Sequence, residues 1–167
     1  MKQVLLSLAL YRQWAYKVLL KKLNTVSPEI LNKDMETSFG TINKTLFHLL
    51  KADYIWWQRI QLKETFDKPA EELQTNIGGL SKEILSMSAN WVDLIRESSD
   101  MKLEHVFEYR NTKREAFKQP LYEALIQVFN HQTYHQGQII SMLRQQKVDK
   151  IPPTDFIVFT RTKGKIN

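Results

Sequence analysis

Two of the chain's four histidines stand four residues apart in FNHQTYHQGQII, Phe129 to Ile140. On a helix, positions i and i+4 share a face and lie about 6 Å apart along the axis, so His131 and His135 could bind one ion. At roughly 100° per residue both fall on or beside the stripe of Leu125, Val128 and Ile139, which points them at a core. A buried neutral imidazole has an N–H and a lone pair to satisfy, and leaving either unmet costs about 1–3 kcal/mol. A divalent cation takes a lone pair from each ring, while the opposite N–H donates to a carbonyl, carboxylate or water. Two hydrogen-bonded core histidines meet the same need, so the spacing leaves both readings open.

A metal would need a third ligand, because catalytic zinc commonly has three protein ligands plus water. The chain has no cysteine, which excludes disulfides, thiolate nucleophiles and cysteine metal sites and leaves His, Asp and Glu as strong ligands. His48 is the best candidate. On a helical wheel centred on Leu46, however, it falls roughly 200° away, beside Thr45 and Ala52 at the edge of the apolar arc, where a boundary histidine touching solvent is the simpler reading. His105 lies between Glu104 and Glu108 and is expected to be exposed or to support a ligand from behind. Asp53 shares the apolar stripe and either orients a ligand or makes a structural hydrogen bond. Tyr54 and Tyr134 are candidate pocket donors. Trp56, Trp57 and Trp91 sit at helical positions that read as core. No residue declares itself a general base.

The elements that must position these groups are helical. Val4, Leu5, Leu8, Tyr11, Ala15, Leu19 and Leu23 recur at three- and four-residue steps and predict helix one over residues 3–23. Ser27 and Pro28 suit a short helical turn. Thr41 caps a long second helix with Ile42, Leu46, Leu49, Leu50, Asp53, Trp57 and Ile60 on one stripe. The polar connection KETFDKPAEELQTNIGG carries at most a local turn of helix, and helix three begins near Ser81 and runs to Ser98. In LEHVFEYRNTKREAFKQP, β-favouring residues flank a polar stretch, as in a short hairpin. Helix four runs from Pro120 to about Gln146, and the tail adds a final helical turn capped at Thr154 before turning basic. Four amphipathic helices must cover one another's stripes, so the predicted fold is an all-α four-helix bundle with a short β-hairpin between helices three and four.

At 167 residues the chain fits a single domain spanning 1–167. The N-terminal apolar patch is interrupted by Tyr11, Arg12, Gln13 and Lys17, and no stretch approaches the ~20 apolar residues of a membrane span. Lack of cysteine suits a cytoplasmic location. The net charge of +6 is spread among acidic residues and not gathered into a nucleic-acid footprint.

SFGTINKTLFHLLKADYIWWQRI, Ser38 to Ile60, resembles the first signature of the DinB/YfiT-like metalloenzyme family, in which a helix carries a metal-binding histidine followed by Asp and an aromatic. HQTYHQGQI, His131 to Ile139, resembles the second, H-x-x-x-H-R-G-Q. With YRQWAYKVLLKKL, Tyr11 to Leu23, the resemblance covers nearly the whole chain. It implies a four-helix bundle with a pocket at one end where His48, His131 and His135 hold a divalent metal such as nickel or zinc. For His48 it implies that helix two bends or rotates to bring the ring inward. Gln136 stands where the family motif has Arg and supplies neither permanent charge nor a guanidinium fork. Gly137 and Gln138 match the motif.

The resemblance implies a metal-dependent enzyme of thiol S-transferase or hydrolase type, acting on a small-molecule substrate with a low-molecular-weight thiol such as bacillithiol or mycothiol. The alternative is a non-catalytic, stress-related metal- or ligand-binding protein working through a partner. The family also implies a homodimer.

Overall fold

The computed structural model describes residues 1–63, 67–111 and 113–162. Four long helices form the frame: α1 (Lys2–Leu23), α3 (Ile42–Ile60), α4 (Ile77–Glu97) and α6 (Leu121–Gln145). Around the bundle the order of neighbours is α1, α4, α3, α6 and back to α1. Consecutive helices α1 and α3 therefore lie across the diagonal, joined by α2 (Pro28–Asn32) and the loop that follows it. The same holds for α4 and α6, joined by α5 (Asp100–Glu104) and a hairpin of β1 (Val106–Arg110) and β2 (Ala116–Pro120). The strands are antiparallel with Val106 opposite Pro120 and Arg110 opposite Ala116, as the β-favouring flanks anticipate. Among the described residues no helix is long and apolar enough to cross a membrane.

The caps follow side-chain chemistry. Ser27 accepts from Ile30 N–H, and Thr41 accepts from Lys44 N–H at 3.1 Å. One boundary differs from expectation, since α4 starts at Ile77, not near Ser81. Asn76 accepts from Gly79 N–H at 3.0 Å, and a Cβ on Gly79 would sit 2.7 Å from Leu73 Cδ2. Gly79 thus lets the first turn of the helix close against the preceding 3-10 turn (Glu71–Thr75), and the glycine pair lies inside the helix and does not mark a loop. At the other end, Ser99 caps α5 immediately after α4. The last helix, α7 (Phe156–Thr162), closes its first turn on the carbonyl of Asp155, one residue past the Thr154 cap anticipated. The basic end of the tail lies outside the described residues.

The buried stripe of α1 is rotated from the one its apolar residues suggest. Val4 is exposed, whereas Leu5, Ala9, Arg12, Tyr16 and Leu19 are buried. Tyr11 turns to α7, where its hydroxyl donates to the Thr154 carbonyl at 2.7 Å and its ring meets Phe156. Arg12 is 1% exposed and pairs with the equally buried Asp53 of α3. Asp53 also accepts from Trp91 Nε1 at 3.3 Å. Its role is structural: burial, the largest effect, pulls the Arg12 guanidinium down, but Asp53 and Tyr16, by charge and hydrogen bond together, more than offset this and hold it protonated.

These groups belong to a polar layer. One apolar cluster gathers Leu19, Leu46, Leu50, Ile84, Ile139 and Leu143; the other gathers Leu5, Ala9, Trp91, Leu125 and Phe129. Each long helix places at least one buried polar residue between the two: Arg12 on α1, Asp53 on α3, Ser88 on α4, Gln132 and Gln136 on α6. Gln132 Nε2 donates to Gln136 Oε1 at 2.6 Å. Gln136, in the place of the family's Arg, therefore lies inside the bundle, and the cation of this layer is Arg12.

Candidate metal centre

The three histidines read from the sequence come together, and His105 does not. His48 on α3 and His131 and His135 on α6 form the group able to hold a metal ion. His105 is exposed at the end of α5, where its carbonyl accepts from Leu121 N–H. The Nε2 atoms of His48 and His131 are 3.2 Å apart, and those of His131 and His135 are 3.1 Å apart. Nitrogens held at ~2.0–2.1 Å from one ion with angles between octahedral and tetrahedral values are ~2.9–3.4 Å apart, so the spacing fits a shared cation.

α3 carries His48 inward as one uninterrupted helix, where a bend or rotation was expected. The wheel misplaced it because Thr45, on that side, is polar yet buried. Thr45 donates to the Thr41 carbonyl at 2.8 Å. The buried arc of α3 is thus wider than its apolar arc, and His48 lies within it, half-buried.

Two supporting residues were not assigned a role from the sequence. Gln138 Oε1 lies 2.6 Å from His135 Nδ1, which places the ring proton on Nδ1 and leaves the Nε2 lone pair facing the other histidines. The i, i+3 relation of His135 and Gln138 on a helix was the available signal. Phe39 stacks on His48 with centroids 4.0 Å apart and planes 22° apart, and presents its edge to His135 at 5.4 Å. It sits in the loop before α3, where no periodic pattern marks it. Gly40 holds that loop with φ +74°, a left-handed conformation, and its Met35 N–H to Gly40 carbonyl bond is 2.8 Å long.

Of the tyrosines, Tyr134 lies at the site, its ring edge-on to His135 at 4.9 Å, whereas Tyr54 donates to Glu83 at 3.2 Å and lines a different cleft with Trp57 and Met87. Trp91 is core, as anticipated, and Trp57 meets it edge to face. Trp56 instead faces the hairpin through Tyr109 and carries the Arg59 guanidinium over its ring.

Burial pushes the proton affinity of His48 down to about 4, helped by His131, His135 and the Lys51 ammonium. His131 is lowered by burial, then by His135 and Arg12. Both rings are held as neutral lone-pair donors, the form in which imidazole binds metal. Two cavities open beside the cluster. One, of about 650 Å³, is walled by Thr37, Ser38, Tyr134, Gln138 and Ser141; the other, of about 410 Å³, by Ser38, Phe39, Lys44, His48 and Lys51.

Comparison with known proteins agrees with this architecture. A solved DinB-like protein from Bacillus cereus ATCC 10987 superposes with a TM-score of 0.64, covering 83% of this chain and 89% of that one at 18% identity. Protein DinB of Bacillus subtilis strain 168 is 27% identical over 153 residues, 87% of each chain. The DinB family model matches residues 1–162, and the chain belongs to the DinB family.

Proposed function

We propose that His48, His131 and His135 bind one divalent cation, zinc or nickel, and that the protein is a metal-dependent enzyme of thiol S-transferase or hydrolase type. The observation that carries this reading is the convergence of three Nε2 atoms, with the far edge of His135 tied to Gln138. His131 Nε2 faces the Nε2 atoms of His48 and His135 at 3.2 and 3.1 Å, and lone pairs that close repel unless a cation or protons sit among them. The depressed proton affinities of His48 and His131 favour the cation.

A bound ion would supply Lewis acidity, turning water or a thiol into a nucleophile at neutral pH. The chain's own residues set the conditions. Gln138 keeps His135 in the tautomer whose Nε2 is free to ligate. Phe39 covers one face of His48 and shields it from bulk water. Ser38 lies between the two cavities and lines both, so a small substrate could approach the histidines from either side of the Ser38-Phe39 segment.

The test is elemental analysis of untagged protein purified beside a His135→Ala variant, followed by assays of thiol transfer to an electrophile and of ester hydrolysis. Near-stoichiometric zinc or nickel that disappears in the variant is expected, with turnover that follows metal content. Protein that neither retains metal nor takes up added zinc or nickel would end this reading.

A further inference from the structure

We propose that Lys44 and Lys51 form an anion-binding subsite beside the histidine cluster, so that the protein's small-molecule substrate or thiol carries a carboxylate or phosphate seated in the 410 Å³ cavity next to His48. The proposal deepens the metal-centre reading and rests on it.

Lys44, His48 and Lys51 are spaced four and three residues apart on α3, one stripe of a single helix face. Both lysines line the cavity with His48, Phe39, Phe47 and Gln74, and among the described residues no carboxylate lines it. Among the described residues neither lysine takes an ion-pair partner: the pairs formed are Arg12–Asp53, Lys63–Asp67, Arg96–Asp93 and Lys118–Glu108. Lys51 is not swung into solvent. Its ammonium lies 5.3 Å from the centre of the Phe47 ring, and the residue is half-buried.

Placing an ammonium beside imidazoles that hold a cation costs free energy, because like charges at short range disfavour one another. A resident acidic side chain would relieve the repulsion, and among the described residues none lines this cavity. An incoming anion relieves it and is thereby selected, its charge between the lysines and its reactive end toward the histidines. The cavity on the His135 side contrasts with this, being walled by Thr37, Ser38, Tyr134, Gln138 and Ser141, with Glu36 as its charged residue. The two sides of the Ser38-Phe39 segment thus differ in sign, and the acidic ligand belongs on the α3 side. Aromatic rings of Phe39 and Phe47 on the cavity wall suit a ligand with a short apolar portion between its charge and its reactive atom.

The experiment compares wild type with Lys44→Met/Lys51→Met, each loaded with cobalt(II) as an absorbing stand-in, and titrates mercaptosuccinate against the neutral 2-mercaptoethanol. Wild type should prefer the acidic thiol by about tenfold or more, since charge-assisted hydrogen bonds contribute that much. The ratio should collapse toward the intrinsic difference of the two thiols in the double variant, with helicity by circular dichroism and cobalt uptake retained. An unchanged ratio would overturn the subsite. If neither protein takes up cobalt, the metal reading fails separately, and the subsite is judged on the metal-free proteins by NMR titration with succinate and with inorganic phosphate. Binding lost in the variant supports it, and the stronger of the two ligands identifies the anion; absence of binding of both to wild type rejects it. A variant that has lost its helicity is replaced by Lys51→Gln alone, judged by the same ratio.

Discussion

Gln138 and His135 are one turn apart on α6, and the amide oxygen of the first lies 2.6 Å from Nδ1 of the second. The contact decides which nitrogen of His135 carries the proton and so which one faces His48 and His131. Gln138→Leu should weaken zinc affinity by about 10–100-fold, the usual consequence of removing a ligand's outer partner, while leaving the fold intact. Gln138→Glu, which still accepts from Nδ1–H, should retain most of it. Competition with a chromophoric chelator measures both, and equal affinity of the Leu variant and wild type would assign Gln138 to packing.

The histidine cluster also sets a pH dependence for the metal-free protein. His48 falls from 6.5 to about 4 because it is buried beside two imidazoles and an ammonium. Between those values the unfolded chain binds a proton that the folded chain refuses, so stability is complete above about pH 6.5 and declines as pH falls toward 4. The denaturant midpoint of wild type should drop more between pH 7.5 and 5 than that of His48→Gln. Parallel profiles would mean that His48 titrates normally in the folded protein.

Much of this was legible from residue types and spacing. His131 and His135 declared themselves through an i, i+4 step on an apolar stripe, and the hairpin through β-favouring flanks around a polar centre. What stayed hidden was polar and buried. Arg12 looks like an interruption of an apolar patch until Asp53, 41 positions away, is seen beside it. His48 looks peripheral because Thr45, which widens the buried arc of α3 on that side, is satisfied by a hydrogen bond to the Thr41 carbonyl that no hydropathy pattern registers. Phe39 lies in a loop, and its place over His48 follows from the left-handed turn at Gly40.

The polar layer predicts a large cost for a single change and a small one for the paired change. Asp53→Asn leaves the Arg12 guanidinium buried without its counter-charge and should cost about 3–5 kcal/mol in chemical denaturation. Replacing both partners by apolar residues, Arg12→Met with Asp53→Leu, should recover most of that loss. Gln136→Arg would restore the family motif but add a second guanidinium to a layer whose carboxylate is already paired. It should destabilise wild type and be better tolerated when Arg12 is Met. If Gln136→Arg is neutral in wild type, the side chain at 136 can reach solvent, and the layer does not enforce Gln there.

Phe39 offers a way to separate shielding of the site from its assembly. Its ring lies nearly parallel to His48 at 4.0 Å, so truncation admits water to the imidazole without touching a ligand atom. Desolvation is the largest cause of the low proton affinity of His48. Phe39→Ala should therefore raise the midpoint of His48 by about one pH unit, a tenfold gain in proton affinity, in an NMR titration of the metal-free protein. Phe39→Leu, which keeps apolar bulk over the ring, should move it less. The Ala variant should also surrender bound zinc to a chelator faster, because water gains access to the face that the ring covers. A His48 midpoint unmoved by Phe39→Ala would trace the depression to His131, His135 and Lys51 and would remove Phe39 from the site's electrostatics.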